Sequence, residues 1–134
     1  MMNMKKKLLD LTVCLALAFL WMAAKGDDGV ITKENGVYIV NTTTLAANVE
    51  GYIGPTPLKI YIQKNKIVKI EALKNQETPK YFAKIKKQLL DQWNGMTVKE
   101  AQKVQVDGVT GATISSDAVK ENVKRGLDYY QKHK

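Results

Sequence analysis

Between Leu58 and Ala72 the chain spells out an antiparallel hairpin, and a hairpin with one apolar face commits the rest of the molecule to covering it. Leu58, Ile60 and Ile62 alternate with Lys59, Tyr61 and Gln63, the period of two expected of a strand buried on one side. Lys64-Asn65-Lys66 makes a tight reversal, and Ile67, Val68, Ile70 and Ala72 form the returning strand. Ile67 and Val68 are adjacent apolar residues, so one faces a ligand or a covering helix, and either assignment stays open.

The covering elements follow in order. Thr78-Pro79 reads as a helix start, threonine at the N-cap and proline in the first turn. Phe82, Ile85, Leu89 and Trp93 give the apolar stripe, Tyr81 lies beside it, and Asn94-Gly95 ends the helix. Thr97-Val98-Lys99-Glu100 is a capping-box pattern opening a short helix to about Lys103. Val104-Gln105-Val106 resumes strand character. Val119, Val123, Leu127 and Tyr130, at helical spacing, predict a core-facing helix from Ser116 to Gln131. Upstream, Asp27 to Asn35 reads as a polar lead-in and Val37 to Val40 as a short strand, with Thr42 to Thr44 prolonging it or opening a loop. Glu50 to Pro57, with two glycines and two prolines, is a constrained turn region where backbone can approach a ligand closely. The expected fold class is α+β: one domain, a small mainly antiparallel sheet with helices packed on it.

Residues 1–26 read as an address. Lys5-Lys6-Lys7 precede an apolar run from Leu11 to Ala24, which at 14 residues is short of the roughly 17 to 25 that span a bilayer. A secretory signal cleaved before Asp27 is the expectation, with an uncleaved N-terminal anchor as the alternative. Cys14 falls inside that run, and Leu11-Thr12-Val13 before it resembles a lipobox only partly. Removing the segment leaves no cysteine, hence no disulfide or thiolate site. The formal charge of +8 includes a net +3 from residues 1–26, leaving +5 on a chain beginning at Asp27. Lys80, Lys84, Lys86 and Lys87 form the solvated face of their helix. Without an aromatic stacking platform these lysines give no nucleic-acid site. His133 is the only histidine, so neither a Ser-His-Asp triad nor a histidine metal cluster can be assembled within one chain.

The chemistry concentrates in Asp107-Gly108-Val109-Thr110-Gly111-Ala112-Thr113, just ahead of the last helix. Gly108 and Gly111 give access to positive φ and leave room for a bulky group. The small residues Ala112, Ser115 and Ser116 lead into the helix, whose start offers unpaired N–H groups and the positive dipole end to a phosphate. The same residue types also make an ordinary N-cap, with threonine, serine or aspartate capping the helix and glycines punctuating a loop.

This heptapeptide resembles the Asp-Gly-x-(Ser/Thr)-Gly-Ala-Thr pattern of the FMN-binding domain family, which includes the C subunit of the sodium-pumping NADH:quinone oxidoreductase and the G subunit of the related Rnf complex. Glu50-Gly51-Tyr52-Ile53-Gly54-Pro55, the strand pair, and Glu77-Thr78-Pro79 are similar in order and spacing to further family elements. The resemblance runs over about residues 36 to 130. It implies that residues 27–134 form an FMN-binding domain and that Thr113 is the acceptor of a phosphoester-linked FMN. Asp107, Gly108, Thr110, Gly111, Ala112 and Ser115 would belong to the recognised loop, and Gly51, Gly54, Glu77 and Thr78 would lie at the flavin pocket. It also implies a separate flavin transferase that uses FAD and releases AMP. The functional expectation is an exported electron carrier working between extracytoplasmic or membrane redox proteins. A noncovalent FMN-binding reductase module and a cofactor-free secreted binding domain are the alternatives.

Overall fold

A computed structural model describes residues 29–134. The segment read from the sequence as a secretory signal, with Cys14 and Asp27, lies outside the described residues. The hairpin read from the sequence forms as β3 (Leu58–Gln63) and β4 (Lys66–Ala72), and it is half of a four-stranded antiparallel sheet completed by β1 (Ile31–Glu34) and β2 (Val37–Asn41). Sheet order follows chain order, β1-β2-β3-β4. Three helices follow, α1 (Pro79–Gln88), α2 (Val98–Lys103) and α3 (Thr113–His133), with a 3-10 turn at Leu90–Trp93. The fold is α+β, as expected.

Both tight turns use positive φ. Lys64 and Asn65 (φ 53° and 61°) join β3 to β4, and Asn35-Gly36 (φ 50° and 83°) joins β1 to β2, the left-handed pair that matches strand twist in a two-residue hairpin loop. The polar lead-in expected for Asp27 to Asn35 is therefore corrected: its second half is an edge strand, with Glu34 opposite Val37. A shift in register between Tyr61 and Ile62 settles the Ile67-Val68 ambiguity. Ile62 pairs with Ile67 and Tyr61 with Lys69, leaving Val68 as the extra residue of a bulge. Ile67 is buried and Val68 is exposed.

Two further expectations change. The helix expected to run to Trp93 ends at Gln88, and Leu90 and Trp93 reach the core from the tighter turn instead. Val104-Gln105-Val106 forms no strand. Part of the β4 edge is already engaged by the chain after that turn, through Ile67 N–H to the Met96 carbonyl at 2.8 Å and Gly95 N–H to the Ile67 carbonyl at 2.8 Å. The capping box at Thr97 forms as read, with Glu100 N–H donating to Thr97 Oγ1 at 3.1 Å and Thr97 N–H to Glu100 Oε1 at 2.9 Å. The Lys80, Lys84, Lys86 and Lys87 face is exposed.

Both apolar stripes reach one core. Phe82, Ile85, Leu89 and Trp93 meet Val119, Val123, Leu127 and Tyr130 together with Val40, Leu58, Ile60, Ile62 and Ile67. A buried polar cluster interrupts it. Thr42 Oγ1 donates to Asn122 Oδ1 and accepts from Leu58 N–H at 2.9 Å, while Asn122 Nδ2 donates to the Ala118 carbonyl at 2.9 Å and Thr56 Oγ1 at 3.3 Å. Through these bonds α3 grips the end of β2 and the start of β3. Asn122→Ala removes the shared partner and leaves buried hydroxyls poorly satisfied, so it costs about 1–3 kcal/mol. Urea unfolding should show that loss; an unchanged midpoint would mean that the cluster does not stabilise the fold.

Candidate functional site

Helix α3 begins three residues earlier than its apolar periodicity implies, because its first turn packs small polar side chains. Ser115 and Ser116 are buried. Ser116 Oγ accepts from Val109 N–H at 3.0 Å, Ala112 N–H donates to the Val109 carbonyl at 2.9 Å, and Ser116 N–H donates to Ala112 at 2.9 Å. Val109 and Ala112 are buried against the core, so the loop is folded onto the helix it precedes. Gly111 has φ 85°, a conformation that disfavours any residue with a Cβ. Gly108 has no positive φ, and a Cβ there would make ordinary contacts at 3.5 Å or more with Ser116 and Lys120. The expectation of conformational freedom is thus corrected at Gly108 and met at Gly111.

The helix start is not an ordinary side-chain cap. Ala112 occupies the N-cap position, with no capping side-chain hydrogen bond. Thr113 is the first helical residue and is exposed. Its hydroxyl therefore stands in a turn whose leading N–H groups have no intrahelical partner.

A cavity of about 430 Å³ opens at this point, lined by Gly111, Ala112, Thr113, Ile114 and Ser115 on one side and by Glu77, Thr78, Tyr81 and Tyr52 on the other. The volume lies within the ~300–1,000 Å³ usual for small-molecule and cofactor sites. Tyr52, Tyr81 and Ile114 are 75, 48 and 55% exposed, so large apolar surface faces solvent around the cavity. Tyr81, one residue off its helix's apolar stripe, serves the cavity and not the core. Thr78 sits at the N-cap of α1 without donating or accepting a capping side-chain bond.

Glu77 ties the two sides together. Its carboxylate accepts from the N–H groups of Tyr52 at 2.9 Å, Ile53 at 2.7 Å and Gly54 at 3.1 Å, and from Ser115 Oγ. Glu77 is only 5% exposed. Burial pushes its pKa up, but the bonds from Ser115 and from Ile53, Tyr52 and Gly54 outweigh that and hold it below the ordinary 4.5. Asn75 presets the approach, accepting from Glu77 N–H at 3.0 Å.

Of the residues singled out from sequence, Glu77, Thr78, Gly111, Ala112, Thr113 and Ser115 meet at this cavity. Gly51 and Gly54 stand behind it, in contact with or bonded to Glu77. Asp107, Gly108 and Thr110 do not line it. The exposed Asp107 is held by its backbone, donating N–H to Gln92 Oε1 at 3.2 Å and accepting from Gln92 Nε2 at 2.8 Å. Sequence reasoning did not assign Tyr52, Ile114 or Gln92 a role. Among the described residues, no cluster of histidine, cysteine and carboxylate side chains is arranged to hold a metal ion, and no helix is long and apolar enough to cross a membrane.

A cofactor-sized cavity flanked by exposed tyrosines, with a hydroxyl at a helix start beneath it, has the parts that a phosphate-bearing aromatic cofactor needs. The FMN-binding domain family model matches residues 51–128, and the chain belongs to that family. At the family level this means flavin binding and electron transfer. No curated protein and no solved structure matches the chain.

The lowered pKa of Glu77 carries a pH dependence. The folded chain binds fewer protons than the unfolded chain here, so this stabilisation is complete above pH 4.5 and is lost as pH falls through the lower folded-state value. Glu77→Gln should therefore destabilise the protein most near neutrality, and the gap to the parent should narrow on the acid side of 4.5. Denaturant melts across that range check it; a gap independent of pH would contradict it.

Proposed function

We propose that this chain is an exported flavoprotein whose FMN is joined by a phosphoester bond to Thr113, and that it relays electrons between extracytoplasmic redox partners. The observation that carries the reading is the position of Thr113: an exposed, hydroxyl-bearing residue in the first turn of α3, on the wall of the cofactor-sized cavity, within the region matched by the family. Bound FMN supplies one- or two-electron transfer.

The chain's residues supply the rest. Thr113 Oγ forms the new bond to the FMN-side phosphorus of FAD, the pyrophosphate bond breaks, AMP leaves, and the hydroxyl proton passes to solvent or to a base of the transferase. The first-turn N–H groups and the helix dipole favour the negative diester that results. Tyr52 and Tyr81 offer ring faces, and Ile114 an apolar edge, for a planar cofactor. Gly111 lets the backbone turn into the helix at the attachment point.

Export rests on the basic and apolar pattern of residues 1–26. A flavin transferase using FAD is then a required partner, as the resemblance to the family implies. Redox partners are extracytoplasmic or membrane proteins. A covalent link has a physical advantage there, because a cofactor held by affinity alone would be lost by dilution.

Peptide mass spectrometry of the chain produced with a flavin transferase and FAD should find an FMN adduct on the Thr113 peptide. Thr113→Ala should abolish it, whereas Thr113→Ser, which keeps the hydroxyl, should retain part of it. An unmodified Thr113 beside active transferase would overturn covalent attachment. Dialysable yellow flavin would then mark a noncovalent FMN module, and a colourless protein a cofactor-free domain.

A further inference from the structure

We infer that Glu77 is a positioning residue that latches the Tyr52 loop to the first turn of α3, and not a group that binds the flavin itself. The inference rests on the carrier reading above for its purpose, but its geometry stands in the chain alone. A carboxylate has about four lone-pair sites. In Glu77 all are used: Oε1 accepts from Tyr52 N–H and Ser115 Oγ, and Oε2 accepts from Ile53 N–H and Gly54 N–H. No acceptor capacity remains for a cofactor donor unless one of these bonds is surrendered.

The glycine beside the latch fits the same role. A Cβ at Gly51 would lie 2.5 Å from Glu77 Oε1, 3.0 Å from its Cδ and 3.2 Å from Thr56 Cγ2. Gly51 is therefore small because the carboxylate passes against its backbone. Gly54 closes the turn, its carbonyl accepting from Gly51 N–H at 2.7 Å.

What the latch positions is Tyr52. That ring lines the cavity while remaining 75% exposed, and Ile53 beside it is 51% exposed. Neither side chain has a core to lock it, so the ring takes its place from its backbone, and the backbone from Glu77. The other end of the latch, Ser115, lies two residues beyond Thr113. One buried carboxylate thus fixes the distance between a wall of the cavity and the attachment point.

The test uses the full exported chain, unloaded and after loading by a transferase with FAD. Glu77→Gln keeps the shape but turns an amide donor toward N–H donors. In unloaded protein it should speed hydrogen exchange at Tyr52, Ile53 and Gly54 by at least about tenfold, and by more than it speeds exchange in β3 or the middle of α3, where only the lost global stability acts. Gly51→Ala should do the same, and the double variant should be no worse than the more severe single variant, because Gly51 acts through Glu77. In molecules carrying the Thr113 adduct, the visible circular dichroism of the flavin should weaken in Glu77→Gln as the ring beside it loses its fixed position.

Unchanged exchange at Tyr52 to Gly54 in unloaded Glu77→Gln, or effects that simply add in the double variant, would overturn the latch. If Glu77→Gln does not fold, Ser115→Ala removes one of the four donors and must still raise exchange at Tyr52; no rise would overturn the inference. An absent adduct in the parent chain would sink the carrier reading, while the exchange results would still judge the latch.

Discussion

At Gly126, helix α3 comes so close to the sheet that a Cβ there would lie 2.6 Å from Ile60 Cδ1 and 3.1 Å from Thr42 Cγ2. One turn earlier Asn122 is bonded to Thr42, which in turn receives the first N–H of β3. Close backbone approach and a satisfied polar cluster together allow α3 one docking position. Buried polar groups of this kind specify an arrangement strongly because any slip leaves them unpaired in a low-dielectric interior. The register of α3 against β2 and β3 is therefore the constraint from which the position of its first turn follows.

From that first turn the site assembles in a short chain of causes. Ser116 holds the Val109 backbone, Gly111 supplies the turn, and Thr113 emerges exposed at the helix start. Ser115 points the other way, to Glu77, whose carboxylate gathers the Tyr52 loop. The cavity is thus built between the end of a loop belonging to the sheet side and the beginning of a helix belonging to the cover. Between these two segments much of the wall is exposed tyrosine and isoleucine surface, side chains for which the core has no use.

Much of this was legible in the sequence because it is local. The β3–β4 alternation, the Thr97 capping box and the two helical stripes are set by residues within a few positions of one another. The Asp107 to Thr113 segment was also legible, through its resemblance to a family pattern. Strand β1 was missed although Asn35-Gly36 is a strong hairpin signal, because only Ile31 and Val30 mark the polar stretch before it as part of a sheet. Val104 to Val106 looked like a strand, but strand propensity needs an available partner. Glu77 reaching back to Tyr52, Ile53 and Gly54 across 23 to 25 residues could not be read from spacing, since no periodicity links a buried carboxylate to a distant turn.

Phosphorus NMR of the loaded chain in denaturant tests the proposed phosphodiester at Thr113 without relying on the fold. A diester has no second ionisation, whereas the phosphate monoester of free or noncovalently bound FMN loses a proton near pH ~6. One protein-borne phosphorus resonance should appear, its position unmoved between about pH 5 and about pH 8. A resonance that titrates through that range, and separates from the unfolded chain on filtration, would contradict it.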